Sequence, residues 1–189
     1  MKDTKVISAF PGCGKTYCYN KYLDSDIIIL DSDSSNFSWE KDENGNNTKT
    51  RNPDFPENYI KHIQENIGKA DIIFVSSHDV VRKALEEHDI DYFLVYPHSN
   101  KECKDSFIDR YKKRNSPQSF INFISDNYEK FISDMKTEFF PYNILLDKNE
   151  TIDDLLTYGY CEHMVARFAD TKIGCPIECD RCPYRNIIL

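Results

Sequence analysis

The stretch that decides the fold is Val6-Ile7-Ser8-Ala9-Phe10-Pro11-Gly12-Cys13-Gly14-Lys15-Thr16. A short β-branched run enters a turn rich in proline and glycine, and Gly-Lys-Thr follows where a helix begins. This order is typical of a phosphate-binding loop, in which backbone amides surround a di- or triphosphate. Glycine permits such a turn because no Cβ blocks the amides. The nucleotide-binding residues are therefore expected to be Pro11, Gly12, Cys13, Gly14, Lys15, Thr16 and Tyr17.

Two side chains of the loop have expected roles of their own. Lys15 is predicted to reach the outer phosphates, and the Thr16 hydroxyl is predicted to ligate Mg²⁺. Ala9 stands where the motif G-x-x-x-x-G-K-[ST] has its first glycine, so the match is one residue short. The alternative interpretation is a chance glycine-rich turn after a strand.

Length, charge and cysteine content restrict the class of protein. The 189 residues suit one α/β domain with room for a small appendage. The net charge of −8 disfavours broad nucleic-acid binding but allows a small anionic ligand in a local basic pocket. We expect no membrane span and no signal peptide, and hence a cytoplasmic protein. The seven cysteines are then reduced thiols or metal ligands.

The apolar runs predict a three-layer fold with a parallel sheet of about five strands. The runs are Val6–Ala9, 27–30, 71–78, 92–96 and 142–146, with helical patterns between them. The run at 27–30 is continuous, which favours a strand covered on both faces. The Asn-rich segment 40–50 is expected to be a turn or an exposed loop. A P-loop domain is expected over residues 1–158, followed by a Cys-rich extension over 159–189.

Two aspartates follow the second predicted strand. Ligands of doubly wound sheets bind outside the carboxyl ends of the strands, so the loops after Ala9 and Leu30 should open on one edge. A carboxylate at Asp31 or Asp33 is suited to holding a Mg²⁺-bound water or to taking a proton from an attacking hydroxyl. The alternative is turn and cap chemistry, which is common for Asp and Ser in loops.

The phosphate loop followed one strand later by Leu30-Asp31-Ser32-Asp33 resembles small P-loop kinases of the nucleotide-kinase and shikimate-kinase type. The resemblance covers roughly the first 150 residues, and it extends to small kinase-like proteins often encoded by bacteriophages. It implies ATP and Mg²⁺ as cofactors. It also implies that Asp31 lies nearer the metal and that Asp33 lies nearer the acceptor hydroxyl.

The same resemblance suggests where the acceptor binds. In these kinases the region between the second and third strands closes over the acceptor, which makes Arg51, Asn52 and Asp54 candidate contacts. Phe37 and Trp39 are candidate stacking surfaces. On the helix predicted from Val80, Arg82 is a candidate for an acceptor phosphate. The alternatives are an exposed arginine and buried aromatic rings.

Two arginines lie on the charged helix predicted over Lys101–Arg114. Arg110 and Arg114 are spaced i, i+4 and therefore project from one face. In nucleotide kinases a lid at this point of the chain brings arginines to the transferring phosphoryl group, where they neutralise charge in the transition state. The resemblance thus implies a catalytic set of Lys15, Asp33, Arg110 and Arg114. The alternative is a solvated charged helix.

The C-terminal segment concentrates four of the seven cysteines. Cys175, Cys179 and Cys182 lie within reach of one loop, and Cys161 or His163 is a candidate fourth ligand. Thiolates that converge in this way suit zinc. The three-cysteine spacing is also similar to that of radical-SAM enzymes, which leaves an iron–sulfur cluster open. Unligated cysteines in a packed tail are the third possibility.

The favoured function is ATP-dependent phosphoryl transfer to a small acceptor, a nucleoside or nucleotide. One alternative is a kinase that acts on DNA ends or modified bases, although the acidic charge disfavours a duplex-binding face. Another is a nucleotide-binding regulatory or interaction module without turnover. A pure binder has no need of an acidic residue at Asp33 or of Arg110.

Overall fold

The computed structural model describes residues 2–138 and 141–158. Strands and helices alternate along most of this length, as the apolar pattern predicts. In chain order the elements are β1 (Lys5–Ala9), α1 (Lys15–Lys21), β2 (Ile29–Asp31), α2 (Ser35–Ser38), β3 (Trp39–Lys41), β4 (Asn47–Arg51), α3 (Glu57–Asn66), β5 (Ile72–Ser76), α4 (Asp79–Glu87), β6 (Phe93–Pro97), α5 (Lys101–Lys113), α6 (Gln118–Lys136), β7 (Tyr142–Leu146) and α7 (Ile152–Tyr158).

The main sheet has five parallel strands in the order β2-β5-β1-β6-β7. β1 is the central strand, and its last residue, Ala9, lies opposite Ser76 of β5 and Val95 of β6. The predicted α/β class and the number of strands are confirmed. Because all five strands run in the same direction, their carboxyl ends meet at one edge of the sheet.

The helices surround this sheet on two sides. α1 packs on α7, whereas α3 packs on α4 and α5 packs on α6. Right-handed crossovers place α1, which leads from β1 outward to β2, on the face opposite α4, which leads from β5 across β1 to β6. This arrangement is compatible with the three layers predicted from the sequence.

The second strand differs from its prediction. It is shorter and lies later in the chain than the apolar run 27–30, since it spans Ile29–Asp31. β2 is an edge strand, so one side of it has no neighbouring strand, and Ile28 is 52% exposed. The expectation that this run is covered on both faces was therefore wrong, and an uninterrupted apolar run did not indicate full burial.

The segment 40–50, predicted to be a turn or an exposed loop, instead contains most of an antiparallel hairpin of β3 and β4. The turn itself was placed correctly, because the Asp42 carboxylate accepts hydrogen bonds from the amides of Asn44 and Asn46. Gly45 supplies a positive φ of 80° in the same turn. The strands were missed because they carry polar, mostly exposed residues and no apolar alternation.

Tyr59 of α3 ties the ends of two strands together. Its hydroxyl donates to the carbonyl of Ser32, after β2, at 2.6 Å and accepts from the amide of Ser76, in β5, at 3.3 Å. The ring is fully buried, and burial raises the pKa of the hydroxyl to about 12, so Tyr59 remains a neutral donor. These two hydrogen bonds fix the ends of β2 and β5 relative to each other, next to Asp31 and Asp33 and next to Ser77.

Replacement of Tyr59 by Phe is expected to lower the free energy of unfolding by about 1–3 kcal/mol, because the buried Ser32 carbonyl loses its hydroxyl donor. Urea denaturation followed by circular dichroism measures the change. Tyr17→Phe is the control, since Tyr17 is 59% exposed and should tolerate the loss of its hydroxyl within about 0.5 kcal/mol. Equal destabilisation by the two variants would contradict the role given to Tyr59.

Candidate functional site

A cleft of about 1150 Å³ opens at the carboxyl edge of the sheet. The connection that follows β1 runs toward β2, at one edge of the sheet, whereas the connection that follows the adjacent strand β5 runs in the opposite direction, toward β6. The direction of the connections therefore changes between β1 and β5. Such a switch point is where ligands bind in doubly wound sheets. Both segments predicted to carry chemistry, 9–17 and 31–34, contribute to the lining. The expectation that the two loops open on one edge is confirmed.

The phosphate-loop candidate has the backbone that its glycines allow. Gly12 and Gly14 adopt φ values of 84° and 100°, a region that side chains with a Cβ rarely occupy. Ala9, by contrast, is the last residue of β1 and is fully buried in extended conformation. Glycine is not required at that position, which accounts for the departure from the motif.

Several amides of this loop are unpaired within the protein. The backbone N–H groups of Gly12, Gly14, Lys15 and Thr16 have no hydrogen-bond acceptor among the residues that the structure describes. Three of the four belong to residues where helix α1 begins, and the first N–H groups of a helix have no partner within it. The glycine before them adds a fourth donor, so the loop presents a group of amides suited to an anion.

Lys15 and Thr16 lie beside the acidic end of β2. The Thr16 hydroxyl donates to the Asp31 carboxylate at 2.8 Å, and the Lys15 ammonium donates to the Ala9 carbonyl at 2.6 Å. Burial lowers the pKa of Lys15 below its usual range, while Asp31 and Asp33 act in the opposite direction. Asp31 is therefore close to both Thr16 and Lys15.

Asp33 also lines the cleft, two residues farther along the chain. One of its oxygens accepts a hydrogen bond from the Ser35 amide at 2.9 Å, and the other has no partner among the described residues. The carboxylate thus combines a turn contact, the alternative weighed from the sequence, with a free oxygen at the cleft. Between the two aspartates, the Ser32 hydroxyl is buried and makes no hydrogen bond within the described chain.

The two arginines of the α5 region differ in their surroundings. Arg110 donates to the carbonyl of Gly12 at 3.0 Å and to the carbonyls of Lys148 and Glu150 at 2.8 and 2.9 Å. Arg114, the C-cap residue of α5, lies over the rings of Tyr111 and Phe120 and donates only to the Ser116 hydroxyl. Both line the cleft, but only Arg114 has no backbone carbonyl partner among the described residues.

The candidate acceptor residues are only partly brought together. Arg51 lines the cleft, with its guanidinium 4.0 Å from the centre of the Trp39 ring. Arg82 lines it too but is nearly buried, and it is bonded to Glu138 at 2.6 Å and to the Ser77 carbonyl. Asn52 is outside the lining, and its side chain accepts from the Asp54 amide. Phe37, also outside it, packs on Tyr59.

The cleft has a different charge balance from the chain as a whole. The net charge of the chain is −8. Six lining residues are nevertheless basic and four are acidic: Lys15, Arg51, Arg82, Arg110, Arg114 and Lys130 against Asp31, Asp33, Asp79 and Asp134. Desolvation lowers the pKa of His78, and the cations Arg51, Lys15 and Arg82 lower it further. A local basic lining, which the net charge of the chain allows, is therefore present.

One wall of the cleft was not predicted. α6 contributes Phe120, Phe123, Ile124, Phe131 and Met135 to the lining. Phe123 is 55% exposed, and its ring centre is 5.6 Å from that of Phe131. The sequence predicts only a helical pattern between the apolar runs 92–96 and 142–146. The available signal was that Phe123 falls outside the buried stripe formed by Ile121, Ile124 and Tyr128.

The cysteines divide into two groups. The side chain of Cys13 is fully buried, and burial raises the pKa of its thiol to about 12. Cys18 and Cys103 are also buried and free. The proposed metal ligands Cys161, Cys175, Cys179 and Cys182, like His163 and the whole extension 159–189, lie outside the described residues.

No protein-family model and no curated protein matches this chain. Among the described helices, none is both long and apolar enough to cross a membrane. Within residues 2–138 and 141–158, no cluster of three or more His, Cys, Asp or Glu side chains is arranged to hold a metal ion.

Substitution of Gly12 by Ala is expected to destabilise the fold more than substitution of Gly45. Both glycines have similar positive φ values, so both variants incur backbone strain of about 1–2 kcal/mol. A Cβ at Gly12 would also lie 2.9 Å from Cε1 of Tyr111, whereas nothing lies within 4 Å at Gly45. Overpacking should add about 1–3 kcal/mol at Gly12. Urea denaturation of the two variants measures the difference, and equal losses would show that the loop does not pack against α5.

Proposed function

We propose that this chain is a P-loop phosphotransferase that transfers the γ-phosphoryl group of ATP to a small acceptor, a nucleoside or nucleotide. The observation that carries the proposal is the meeting, in one cleft, of the glycine loop, Lys15, the Thr16–Asp31 pair, Asp33 and Arg114. The resemblance to kinases of the nucleotide-kinase and shikimate-kinase type supports the same assignment. A cytoplasmic location, where ATP is available, belongs to this proposal.

The loop binds the polyphosphate. Its unpaired amides donate to phosphate oxygens, and Lys15 exchanges its bond to the Ala9 carbonyl for the outer phosphates. Thr16 and Asp31 provide adjacent hydroxyl and carboxylate oxygens, the ligand types that suit Mg²⁺. Sites for Mg²⁺ with nucleotides use one or two protein oxygens together with phosphate and water, so a larger protein cluster is not required. When bound, Mg²⁺ supplies neutralisation of phosphate charge.

Asp33 is the group that handles the acceptor proton. Its free oxygen accepts a hydrogen bond from the acceptor hydroxyl, orients that oxygen toward the γ-phosphorus and takes the proton as the new P–O bond forms. The bond to the Ser35 amide keeps the carboxylate in place. The bond that breaks joins the γ-phosphorus to the bridging oxygen, which leaves with ADP.

We assign some cationic side chains of the cleft to ATP and others to the acceptor. Arg114 has no carboxylate or carbonyl partner among the described residues and lies near enough to Lys15 to lower the pKa of that lysine, so we assign it to the transferring phosphoryl group. Arg51 is assigned to the acceptor side, where it is held against Trp39. Arg82 helps shape that side, because its donors are bonded to Glu138 and Ser77.

One further assignment in this proposal, a zinc site, is supported by the sequence alone. Residues 159–189 form a Cys-rich extension that binds zinc through Cys161, Cys175, Cys179 and Cys182.

The second candidate activity, phosphorylation of DNA ends or modified bases, shares the same phosphate chemistry. The basic cleft, in an otherwise acidic chain, favours a small anionic substrate over a duplex.

A transfer screen with γ-labelled ATP tests the function, with nucleosides, nucleotides and DNA ends as acceptors. Label should appear on one class, and Lys15→Ala should lower the rate at least about 100-fold because phosphate charge loses its cation. Lys113→Ala is the matched control, since this exposed lysine of α5 lies outside the cleft. Turnover that survives Lys15→Ala would overturn the proposal. Label on DNA ends alone would favour the second candidate, and binding without transfer to any acceptor would favour a regulatory module.

Replacement of Asp33 by Asn separates catalysis from nucleotide binding. The amide is nearly the same size but accepts no proton, so kcat should fall by about 10²–10⁴ while the Kd for ATP stays within a factor of two or so. Single-turnover transfer and calorimetric titration measure the two quantities. Asp26→Asn, at an exposed position outside the cleft, is the control. Equal loss of binding and transfer would show that Asp33 is not the proton acceptor.

A further inference from the structure

The carbonyl groups of the phosphate loop are held by residues of two neighbouring helices. The Pro11 carbonyl accepts from the Tyr111 hydroxyl at 2.6 Å, the Gly12 carbonyl from Arg110 at 3.0 Å and the Cys13 carbonyl from the Ile152 amide at 2.8 Å. Three consecutive peptide groups are thus fixed by residues of two helices, α5 and α7.

The direction of these bonds determines where the loop amides point. In a planar trans peptide the C=O and the following N–H point in opposite directions. The Pro11 carbonyl is turned toward Tyr111 and the Cys13 carbonyl toward Ile152, and neither of these partners lines the cleft. The N–H groups of Gly12 and Gly14 are therefore turned the other way, and both glycines do line the cleft. These are two of the four amides without a partner in the described chain.

The packing around Gly12 reinforces this arrangement. The position of a Cβ on Gly12 lies 2.9 Å from the Tyr111 ring and 3.3 Å from Phe107, so α5 abuts the loop backbone directly. The Arg110 guanidinium stacks 4.2 Å from the centre of the Phe107 ring and also bonds the carbonyls of Lys148 and Glu150, just before α7. The helix that was expected to supply a mobile arginine is thus anchored to the loop.

We propose that Arg110 and Tyr111 are positioning residues, a carbonyl clamp that presets the Gly12 and Gly14 amides for a polyphosphate. This inference rests on the proposed function. Arg110 acts on the loop backbone, whereas Arg114, one turn later, is left for the phosphoryl group. An anion bound by preset amides does not have to reorganise the loop. Loss of the Tyr111 hydroxyl, which is outside the cleft lining, therefore lowers affinity for the polyphosphate without removing an atom that touches it.

The test compares two tyrosine variants that lose equivalent bonds. Tyr111→Phe removes the hydroxyl on Pro11 and keeps the ring against Gly12. Tyr128→Phe removes a hydroxyl that donates to the His98 carbonyl at 2.9 Å, also from a fully buried ring; that ring packs against Phe10, but its hydroxyl is bonded to His98 and not to a loop carbonyl. Both should lower Tm by a few degrees. Only Tyr111→Phe should weaken binding of Mg·ATP, by about fivefold or more, the equivalent of one lost hydrogen bond.

A spectroscopic readout needs no ligand. The chain has six glycines, so glycine-selective ¹⁵N labelling gives a sparse amide spectrum in which Gly12 and Gly14 are assigned by substitution. Tyr111→Phe should shift these two resonances in the free protein, and Tyr128→Phe should leave them in place. If Tyr111→Phe does not fold, Arg110→Gln, at a half-buried position, serves as the second variant with the same expected shifts and loss of affinity.

The outcomes separate the inference from the function on which it rests. Wild-type affinity and unshifted Gly12 and Gly14 resonances in Tyr111→Phe would overturn the clamp while leaving the phosphotransferase proposal intact. Equal loss of affinity in the two tyrosine variants would show that the loss results from general destabilisation of the fold, and it would also overturn the clamp. Failure of the wild-type protein to bind Mg·ATP would overturn the proposed function and the clamp with it.

Discussion

Parallel pairing of β1 with both β5 and β6 is the constraint on which the rest of the structure depends. It places the end of the first strand in the middle of the sheet and brings Ala9 level with Ser76 and Val95. Loops that are far apart in the chain then emerge at one edge. The glycine loop, the aspartates after β2 and the serines after β5 all reach the same cleft for this reason.

The lining of the cleft is basic although the chain as a whole is acidic. Basic residues contributed by the loop, the hairpin and helices α4, α5 and α6 outnumber the acidic ones in the lining, although acidic residues predominate in the chain. Electrostatic attraction is strongest at short range in a partly desolvated site, so the local balance matters more than the net charge. The lowered pKa values of Lys15 and His78 have burial as their main cause, and neighbouring cations contribute in the same direction.

The arginines illustrate how far sequence reasoning extended into the site. Spacing predicted that Arg110 and Arg114 project from one face, and both line the cleft. The resemblance to nucleotide kinases implied the same role for the two. Hydrogen bonding distinguishes them, because Arg110 is bonded to three carbonyls and Arg114 to none of the described ones. Arg82 was likewise placed at the cleft, yet its partner Glu138 lies 56 residues later in the chain. Sequence spacing does not reveal partners at such separations.

By itself the sequence determined the α/β class, the number of parallel strands and the glycine-rich turn after β1, because burial and positive φ angles leave local traces in residue type. It did not determine the hairpin of β3 and β4, whose strands are polar, or the edge exposure of Ile28. The tertiary structure alone decided which donors remain free, which carbonyls are held by α5 and α7, and that α6 forms a wall of the cleft. These features depend on contacts between distant segments, and such contacts leave no periodic pattern in the chain.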